Sequence, residues 1–372
     1  MRKITQFVYI HVVKPILFLF PADNVHEFFL WMGRNLGRSS LVKKLLEKAW
    51  SYNNKILEQR IQGLDFKNPI GLSAGFDYNA DLVNILPCIG FGFHSIGTLT
   101  NEPYGGNPGV MLARLPKSRS LLVNKGFKNK GVDNVLVSLT TNISGAPRGV
   151  SIGATNKPYP DLGAMIGDLV TGFQKAEKFI NFDYYELNIS CPNLLNLQNL
   201  KEQLATPHGL VHALEALDGI GIQRPLFIKM PLEKKPEEIK DLMQAASNFS
   251  FVKGLIFSNL AKDRNNKGFD VEEIKRAGKG NFSGKPVEEK SNEILRYAYR
   301  TYGERFTLIG VGGVFTPEDA YKKIRLGASL VQMITGMVFM GPEQIGLINK
   351  GLVELLKKDG YKNIRDTVGV QA

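Results

Sequence analysis

The chain is poor in cysteine and has no pattern of metal ligands. Only two of its 372 residues are cysteines, Cys88 and Cys191, and neither belongs to a C-x-x-C pair. So few cysteines in a chain of this length argue against a disulfide-stapled scaffold and indicate a reducing compartment. Zinc-type spacing of cysteine and histidine is also missing, so we expect no metal site.

Long apolar runs are missing as well. Residues 7–20 are strongly apolar, but His11, Lys14 and Pro15 interrupt them. A stretch of about 14 residues is too short to cross a bilayer, which takes roughly 20. The basic start at residues 1–3 is typical of a signal peptide, yet Pro15 breaks the run and no small-residue cleavage site follows.

Acidic residues are outnumbered by basic ones. The 47 Lys and Arg against 35 Asp and Glu give a formal net charge of +12. An excess of this size suits an anionic partner, such as a phospholipid surface, a phosphate-bearing ligand or nucleic acid. The basic residues are scattered and show no basic-aromatic repeat, so we expect no nucleic-acid partner.

Residues 1–60 are predicted to form a separate helical extension. After the apolar stretch 7–20, a second helix is predicted with Asn24 as N-cap and Glu27 as its capping-box partner. A third helical pattern runs from Leu41 to Trp50. Two interpretations remain open: a helical cap on the next domain, or an amphipathic patch that lies on a membrane and walls a tunnel open to lipid.

Residues 61–372 are predicted to form one domain in which strands and helices alternate. Eight runs have strand character: Pro69–Ser73, Phe93–Ile96, Gly149–Gly153, Tyr184–Asn188, Leu226–Lys229, Gly254–Ser258, Thr307–Gly310 and Leu330–Met333. Helical patterns separate most of them, for example Pro160–Phe179, Pro236–Asn248, Glu289–Thr301 and Pro317–Arg325. This order predicts an α/β fold of the (β/α)8 TIM-barrel type, with its active site at the C-terminal ends of the strands. Two long intervals, Leu99–Ala146 and Asn259–Pro286, are expected to cover that end.

Small and polar residues end the predicted strands or follow them. They are Ala74, Gly75, Thr98, Ser151, Asn188, Lys229, Ser258, Ser283, Gly284, Gly312, Gly313, Thr335 and Gly336. Glycines after the seventh and eighth strands are the usual phosphate site of this barrel. Lys229 places a charge on an otherwise apolar strand, where it suits an electron-rich ring. Phosphate site, cation and amides together describe a mononucleotide-like cofactor, for which flavin mononucleotide (FMN) is the natural candidate.

The fourth strand leads into Asn188-Ile-Ser190-Cys191-Pro192-Asn193. A lone cysteine is most often a small buried apolar residue. Here it stands among hydrogen-bonding groups at a strand end, so we predict that Cys191 is catalytic. A thiol with an ordinary pKa of about 8.5 accepts a proton only where the site favours the thiolate, as a neighbouring cation would.

Motifs along nearly the whole chain resemble those of the dihydroorotate dehydrogenase family. They are N-P-I-G-L-S-A-G-F-D at 68–77, N-K-G-F-K-N-K-G-V-D-N at 124–134, N-I-S-C-P-N at 188–193, S-G-K-P-V at 283–287, I-G-V-G-G-V at 309–314 and G-A-S-L-V-Q at 327–332. The N-terminal helices, with P-A-D-N-V-H-E-F at 21–28, resemble the extension of the membrane-associated, quinone-using class.

The resemblance implies FMN-dependent oxidation of dihydroorotate to orotate in pyrimidine biosynthesis, with a membrane quinone reoxidising the flavin. It implies that Cys191 takes a proton from C5 while hydride leaves C6 for flavin N5. Lys229 would stabilise negative charge on the reduced flavin, and His26 and Arg114 would line a quinone tunnel. The residues implied to hold the pyrimidine are Asn124, Phe127, Asn188, Asn193 and Asn259.

Several positions depart from the family pattern. Cys191 stands where the quinone class has serine, Tyr78 where the family has a lysine, and Ser151 where it has an asparagine. Two other functions therefore stay open: an FMN oxidoreductase for another dihydropyrimidine or cyclic amide, and a flavin-binding membrane protein without turnover. The resemblance implies a peripheral protein on the cytoplasmic face of a bacterial inner membrane, or on the mitochondrial inner membrane of a eukaryote.

Overall fold

The computed structural model describes residues 2–139 and 145–372. Residues 140–144 of the predicted insertion Leu99–Ala146 lie outside the described residues.

Eight parallel strands close into a barrel in chain order. They are β1 (Ile70–Leu72), β2 (Phe93–Leu99), β3 (Arg148–Ile152), β4 (Tyr184–Asn188), β5 (Leu226–Lys229), β6 (Val252–Phe257), β7 (Thr307–Val311) and β8 (Leu330–Met333). Each coincides with a predicted run, so the predicted TIM barrel is confirmed. The runs are short and apolar because helices cover the outside of a parallel sheet while side chains fill its interior.

An apolar floor closes the N-terminal end of the barrel. It consists of Phe66, Phe93, Tyr184, Phe227, Ile256, Ile309 and Leu330. Phe66 belongs to an antiparallel hairpin, Gln59–Ile61 with Leu64–Phe66, that covers this end. Among the described residues, the open end of the barrel is therefore the opposite one, at the C-terminal ends of the strands.

Helices surround the barrel. The longer ones are Leu162–Ala176, Gln198–Leu204, Pro207–Gly219, Pro236–Ser247, Glu288–Tyr302, Pro317–Arg325 and Gln344–Lys358. Short helices are Val132–Leu136, Val271–Arg276 and Thr335–Met340, and 3-10 segments are Lys55–Leu57, Leu86–Ile89, Lys285–Val287 and Ile364–Thr367. Local caps set several boundaries: the Asp161 carboxylate accepts from the Ala164 N–H at 2.8 Å and so starts the first helix after β3.

The two long insertions combine into one small antiparallel sheet. Its strands are Leu112–Leu115, Ser120–Val123 and Asn281–Gly284, with Ser120–Val123 in the middle. The first two come from the insertion after β2 and the third from the insertion after β6. The sheet brings residues of both insertions over the open end of the barrel.

The N-terminal residues form three helical stretches. The first is continuous and contains a π-helical turn: Arg2–Val8, Tyr9–Val13 and Lys14–Leu17. Ala22–Leu36 and Ser40–Trp50 follow. Large apolar side chains are exposed on all three and on the turn after the first: Ile4, Phe7, Val8, Val12, Val13, Ile16, Leu19, Phe20, Phe28, Trp31, Leu41 and Leu45. In the part of the chain that the structure describes, no helix combines the length and apolar character needed to cross a membrane.

The second of these helices does not start as predicted. It begins at Ala22 with Pro21 in the N-cap position, and no side chain caps it. The Asp23 carboxylate in its first turn accepts instead from the backbone N–H groups of Met111 and Leu112, at 3.2 and 3.0 Å. The first turn is thus held by a tertiary contact, the helix has no side-chain cap, and the prediction of Asn24 as N-cap was wrong.

Candidate functional site

A cavity of about 370 Å³ extends from the N-terminal helices to the C-terminal ends of the barrel strands. At one end it is bordered by Tyr9, His26 and Phe29 of the helices. At the other end it reaches Asn188 and Lys229 inside the barrel. An apolar tunnel and a polar site are therefore parts of one continuous space.

Most predicted site residues line this cavity. They are His26, Ala74, Gly75, Thr98, Arg114, Phe127, Asn188, Cys191, Asn193, Lys229, Ser258, Asn259, Ser283, Gly284, Gly312, Gly313, Thr335 and Gly336.

Asn124 and Ser151 are the predicted residues that do not line the cavity. The Ser151 hydroxyl lies 2.9 Å from the Thr98 hydroxyl, which puts it one hydrogen bond behind the lining. The Asn124 Oδ1 accepts from Asn107 Nδ2 at 2.9 Å, and the preceding residue, Val123, lines the cavity instead. Asn124 therefore lies outside the cavity wall, where its side chain holds Asn107 of the insertion after β2.

The amides around Cys191 are held in fixed orientations. Asn259 Nδ2 donates to Ser190 Oγ at 2.9 Å, and Asn188 Nδ2 donates to Thr98 Oγ1 at 2.9 Å. Asn193 Oδ1 accepts from Asn281 Nδ2 of the insertion sheet. Since each amide has both donors and acceptors, these bonds fix which of them face the cavity. The arrangement suits a small ring with alternating N–H and C=O groups.

Lys229 ends β5 at the bottom of the polar part. Only 5% of the residue is exposed, and Nζ donates to Ser73 Oγ at 3.0 Å. Burial lowers the pKa of Lys229, while the nearby charges of Glu186 and Cys191 oppose that effect. An ammonium has three donors, so the group can serve a ligand in addition to Ser73.

Glycine backbone forms the side of the cavity next to β7 and β8. Gly284, Gly312 and Gly313 have φ values of +94°, +105° and +75°, which side chains rarely adopt. Gly336 is needed for a different reason: a Cβ at this position would lie 2.0 Å from the Val314 carbonyl oxygen. Bare backbone at this place fits the phosphate of a mononucleotide, so the residues present are compatible with FMN.

His26 and Tyr78 border the apolar part. The His26 Nε2 lies 2.9 Å from the Phe76 carbonyl oxygen, and burial lowers the pKa of His26 to about 3. The ring is thus neutral at pH 7, with its proton on Nε2, because a carbonyl oxygen can only accept. The Tyr78 hydroxyl donates to the Glu27 carboxylate, and its ring centroid lies 5.5 Å from that of His26.

Two charged residues of the site were missed from the sequence. Lys125 lines the cavity with only 8% of its surface exposed, and its Nζ lies 5.1 Å above the Tyr78 ring and 3.4 Å from an Asp23 oxygen. Glu186 lies inside the barrel below the cavity and is fully buried. Glu186, like Lys229, is a charged residue in an otherwise mostly apolar predicted strand, and this sequence feature could have identified it as part of the site.

Comparisons with known proteins agree with this architecture. A family model described as dihydroorotate dehydrogenase matches residues 56–356. A protein of Myxococcus xanthus named dihydroorotate dehydrogenase (quinone) is 36% identical over 364 residues, covering 97% of each chain. Its namesake in Nocardia farcinica is 32% identical over 364 residues, covering 96% of this chain and 95% of the relative.

Solved structures show the same likeness. The ligand-free form of the Eimeria tenella protein titled DHODH superposes with a TM-score of 0.81 at 26% identity. This match covers 93% of the present chain and 98% of the other. Barrel, cavity and relatives lead to one conclusion: the chain belongs to the dihydroorotate dehydrogenase family.

Proposed function

We propose that the protein oxidises (S)-dihydroorotate to orotate in de novo pyrimidine biosynthesis, using FMN and passing the electrons to a membrane quinone. The observation that carries this proposal is the single cavity with two chemically different ends. Amides and a lysine at the barrel end suit a polar pyrimidine, while the helical end suits an apolar acceptor. Both substrates can thus reach one cofactor from different sides.

FMN supplies the hydride acceptor when it is bound. Its phosphate would be held by the glycine backbone after β7 and β8 and by the hydroxyls of Ser283 and Thr335, which lie 2.7 Å apart. Lys229 would place its ammonium beside the ring system, where it stabilises negative charge. Thr98, Asn188 and Ser258 would contribute further polar contacts, with Ser151 supporting Thr98.

Cys191 is the proposed proton acceptor. Asn188, Asn193 and Asn259 would orient the dihydropyrimidine by hydrogen bonds so that its C5 faces the Cys191 Sγ. The sulfur would take the C5 proton, and the cofactor would accept the hydride that leaves C6, so that two bonds to hydrogen would break and the C5–C6 double bond would form. Phe127 would pack against the ring of the substrate.

In this proposal, residues 1–60 contact the membrane and the quinone, and residues 61–372 bind FMN and the pyrimidine. His26 and Arg114 would border the quinone path. Arg114 Nη1 donates to the Phe20 carbonyl at 2.8 Å and so connects this path to the turn after the first helical stretch. The exposed apolar side chains and basic flanks of the N-terminal helices would lie on the membrane surface. In a bacterium this surface is the cytoplasmic face of the inner membrane, and in a eukaryote it is the mitochondrial inner membrane.

The proposal is tested by assaying purified protein in detergent with dihydroorotate and a soluble quinone. We expect quinone reduction that depends on dihydroorotate, and FMN as the flavin released by acid. Protein without flavin, or flavin protein that leaves the quinone oxidised, would contradict the proposal.

A second candidate is oxidation of another dihydropyrimidine or cyclic amide. Tyr78 lines the cavity at the position where the family has a lysine, and Val123 lines it in place of the predicted Asn124. The loss of these two polar contacts favours the second candidate. Comparing dihydrouracil with dihydroorotate as flavin reductants separates the two. Faster reduction by dihydrouracil supports the second candidate, and reduction by neither supports a flavin-binding protein without turnover.

A further inference from the structure

A polar layer lies inside the barrel, between the apolar floor and the cavity. Its centre is the fully buried Glu186 of β4. Glu186 Oε1 accepts from Gln332 Nε2 of β8 at 2.7 Å and from the hydroxyl of Ser95 in β2. The other oxygen, Oε2, is buried and has no hydrogen-bond partner among the described residues. Three strands thus hold one carboxylate that is excluded from bulk solvent.

Lys229 lies close above this layer. Asn188 of β4 pairs with Lys229 of β5, so Lys229 stands one inward-facing position nearer the cavity than Glu186. Glu186 and Lys229 are almost completely excluded from solvent, with 0% of the surface of Glu186 and 5% of that of Lys229 exposed. Opposite charges in such an interior interact strongly, since neither water nor salt screens them.

Each of the two groups opposes the effect of burial on the other. Burial raises the pKa of Glu186, and the charge of Lys229 lowers it. Burial lowers the pKa of Lys229. Electrostatic interactions with Glu186 and with Cys191 raise it, and the effect of Glu186 is the larger of the two. Tyr184 also faces the layer, with its hydroxyl 3.0 Å from Ser95 Oγ.

We propose that Glu186 is a positioning residue that keeps Lys229 protonated at the bottom of the cofactor cavity. The proposal rests on the flavin function proposed above. The bonds from Gln332 and Ser95 hold the carboxylate below the cavity, so Glu186 acts through its charge and not by touching a ligand. A neutral Lys229 would no longer stabilise negative charge on a flavin above it.

A purely structural carboxylate would give a different result from a charge partner. Glu186→Gln keeps the shape and an acceptor for Gln332 but removes the charge. The flavin midpoint potential is measured from pH 6 to 10 in the wild type, E186Q, K229M and the double variant. We expect E186Q to show an additional break at which Lys229 loses its proton, with a lower potential above it. In the K229M background, E186Q should add no break.

Two results of this measurement would overturn the proposal. One is a profile of E186Q that runs parallel to the wild type over the whole range. The other is an E186Q break that persists in the K229M background, since it would then come from another group. Comparing the four proteins as a cycle isolates the coupling between the two side chains.

Infrared spectroscopy gives a second test that needs no flavin. Once Lys229→Met removes the cation, Glu186 is an uncompensated buried charge and should take up a proton. K229M should therefore show a C=O stretch of a protonated carboxyl that disappears in K229M/E186Q, whereas E186Q in the wild-type background should remove no such band; subtracting the spectra in pairs cancels the bands of other buried carboxyls such as Asp77 and Glu343. Identical spectra of K229M and K229M/E186Q in this region, or loss of a protonated-carboxyl band when E186Q is introduced into the wild type, would refute the charge pair. If the purified protein carried no flavin, the proposed function would fail while this readout still decided the pairing.

Discussion

Cys191 is the residue on which the proposed chemistry depends. It lines the cavity in the loop after β4, between Asn188 and Asn193. Cys191→Ala should slow flavin reduction by dihydroorotate at least 10²-fold, as loss of a general base does. Stopped-flow absorbance under anaerobic conditions measures this rate. Cys88→Ala is the matched control, because Cys88 is the other thiol and does not line the cavity; near-normal reduction in C191A would remove Cys191 from the mechanism.

Lys323 should give the stability of the fold a measurable pH dependence. It is fully buried, and its Nζ donates to Ser291 Oγ at 2.9 Å and Asn292 Oδ1 at 2.8 Å. Burial lowers the pKa of Lys323 from 10.5 to about 7. Between these values the unfolded chain binds one proton more than the folded protein. The contribution of Lys323 to the free energy of unfolding therefore rises with pH in this window, by up to about 1.4 kcal/mol per pH unit.

Lys323→Met should remove this slope. Urea denaturation between pH 7.5 and 9.5 is expected to show that the wild type gains stability relative to K323M as pH increases. Lys322→Met serves as control, since Lys322 is exposed on the same helix. Parallel stability curves for the wild type and K323M would show that the lysine is not held neutral.

At the scale of elements, Asp23 anchors the helix Ala22–Leu36 to the insertion after β2. Its side-chain carboxylate accepts hydrogen bonds from the backbone N–H groups of Met111 and Leu112. Asp23→Ala should loosen this helix, so limited proteolysis near residues 1–50 should become faster. The KM for quinone should increase, while flavin reduction by dihydroorotate stays close to that of the wild type. Asn24→Ala, on the exposed neighbour, should change neither. A slower reduction by dihydroorotate in D23A with unchanged quinone KM would contradict the assignment of this helix to the quinone path.

The barrel elements could be predicted because their signals are local. Each strand is a short apolar run that ends in small or polar residues, and the predicted helix bounds, such as Pro160–Phe179 against the observed Leu162–Ala176, differ by up to three residues. Asn24 failed as a cap because the helix begins two residues earlier, at Ala22 after Pro21, and the contact that holds its first turn, from Asp23 to the insertion after β2, is distant in sequence. No periodicity reveals such a contact.

The orientation of site residues was harder to predict than their location. Val123 lines the cavity and Asn124 does not, a difference of one position at the end of a strand. Successive side chains of a strand point to opposite faces, and the register of the insertion sheet depends on pairing with Asn281–Gly284 far along the chain. The partners of Glu186 come from β2 and β8, so its place in the site emerges only from the closed barrel.

At the scale of the whole molecule, the N-terminal helices and the turn after the first of them expose large apolar side chains, which we propose lie on a membrane. Leu19 and Trp31 are 83% and 60% exposed. Replacing both with Ser should reduce co-sedimentation with anionic lipid vesicles several-fold, because the buried apolar area drives interfacial binding. Ile180→Ser is the control, since Ile180 is 78% exposed but lies outside these helices. Equal sedimentation of the L19S/W31S variant and the wild type would argue for a helical cap without a membrane role.

We propose that one cavity brings dihydroorotate, a flavin and a quinone together. It is tested most directly by adding dihydroorotate to the purified protein without oxygen while the flavin absorbance is recorded. We predict rapid bleaching of the oxidised flavin, followed by return of the absorbance when a quinone is added. A flavin that stays oxidised in the presence of dihydroorotate would contradict the account.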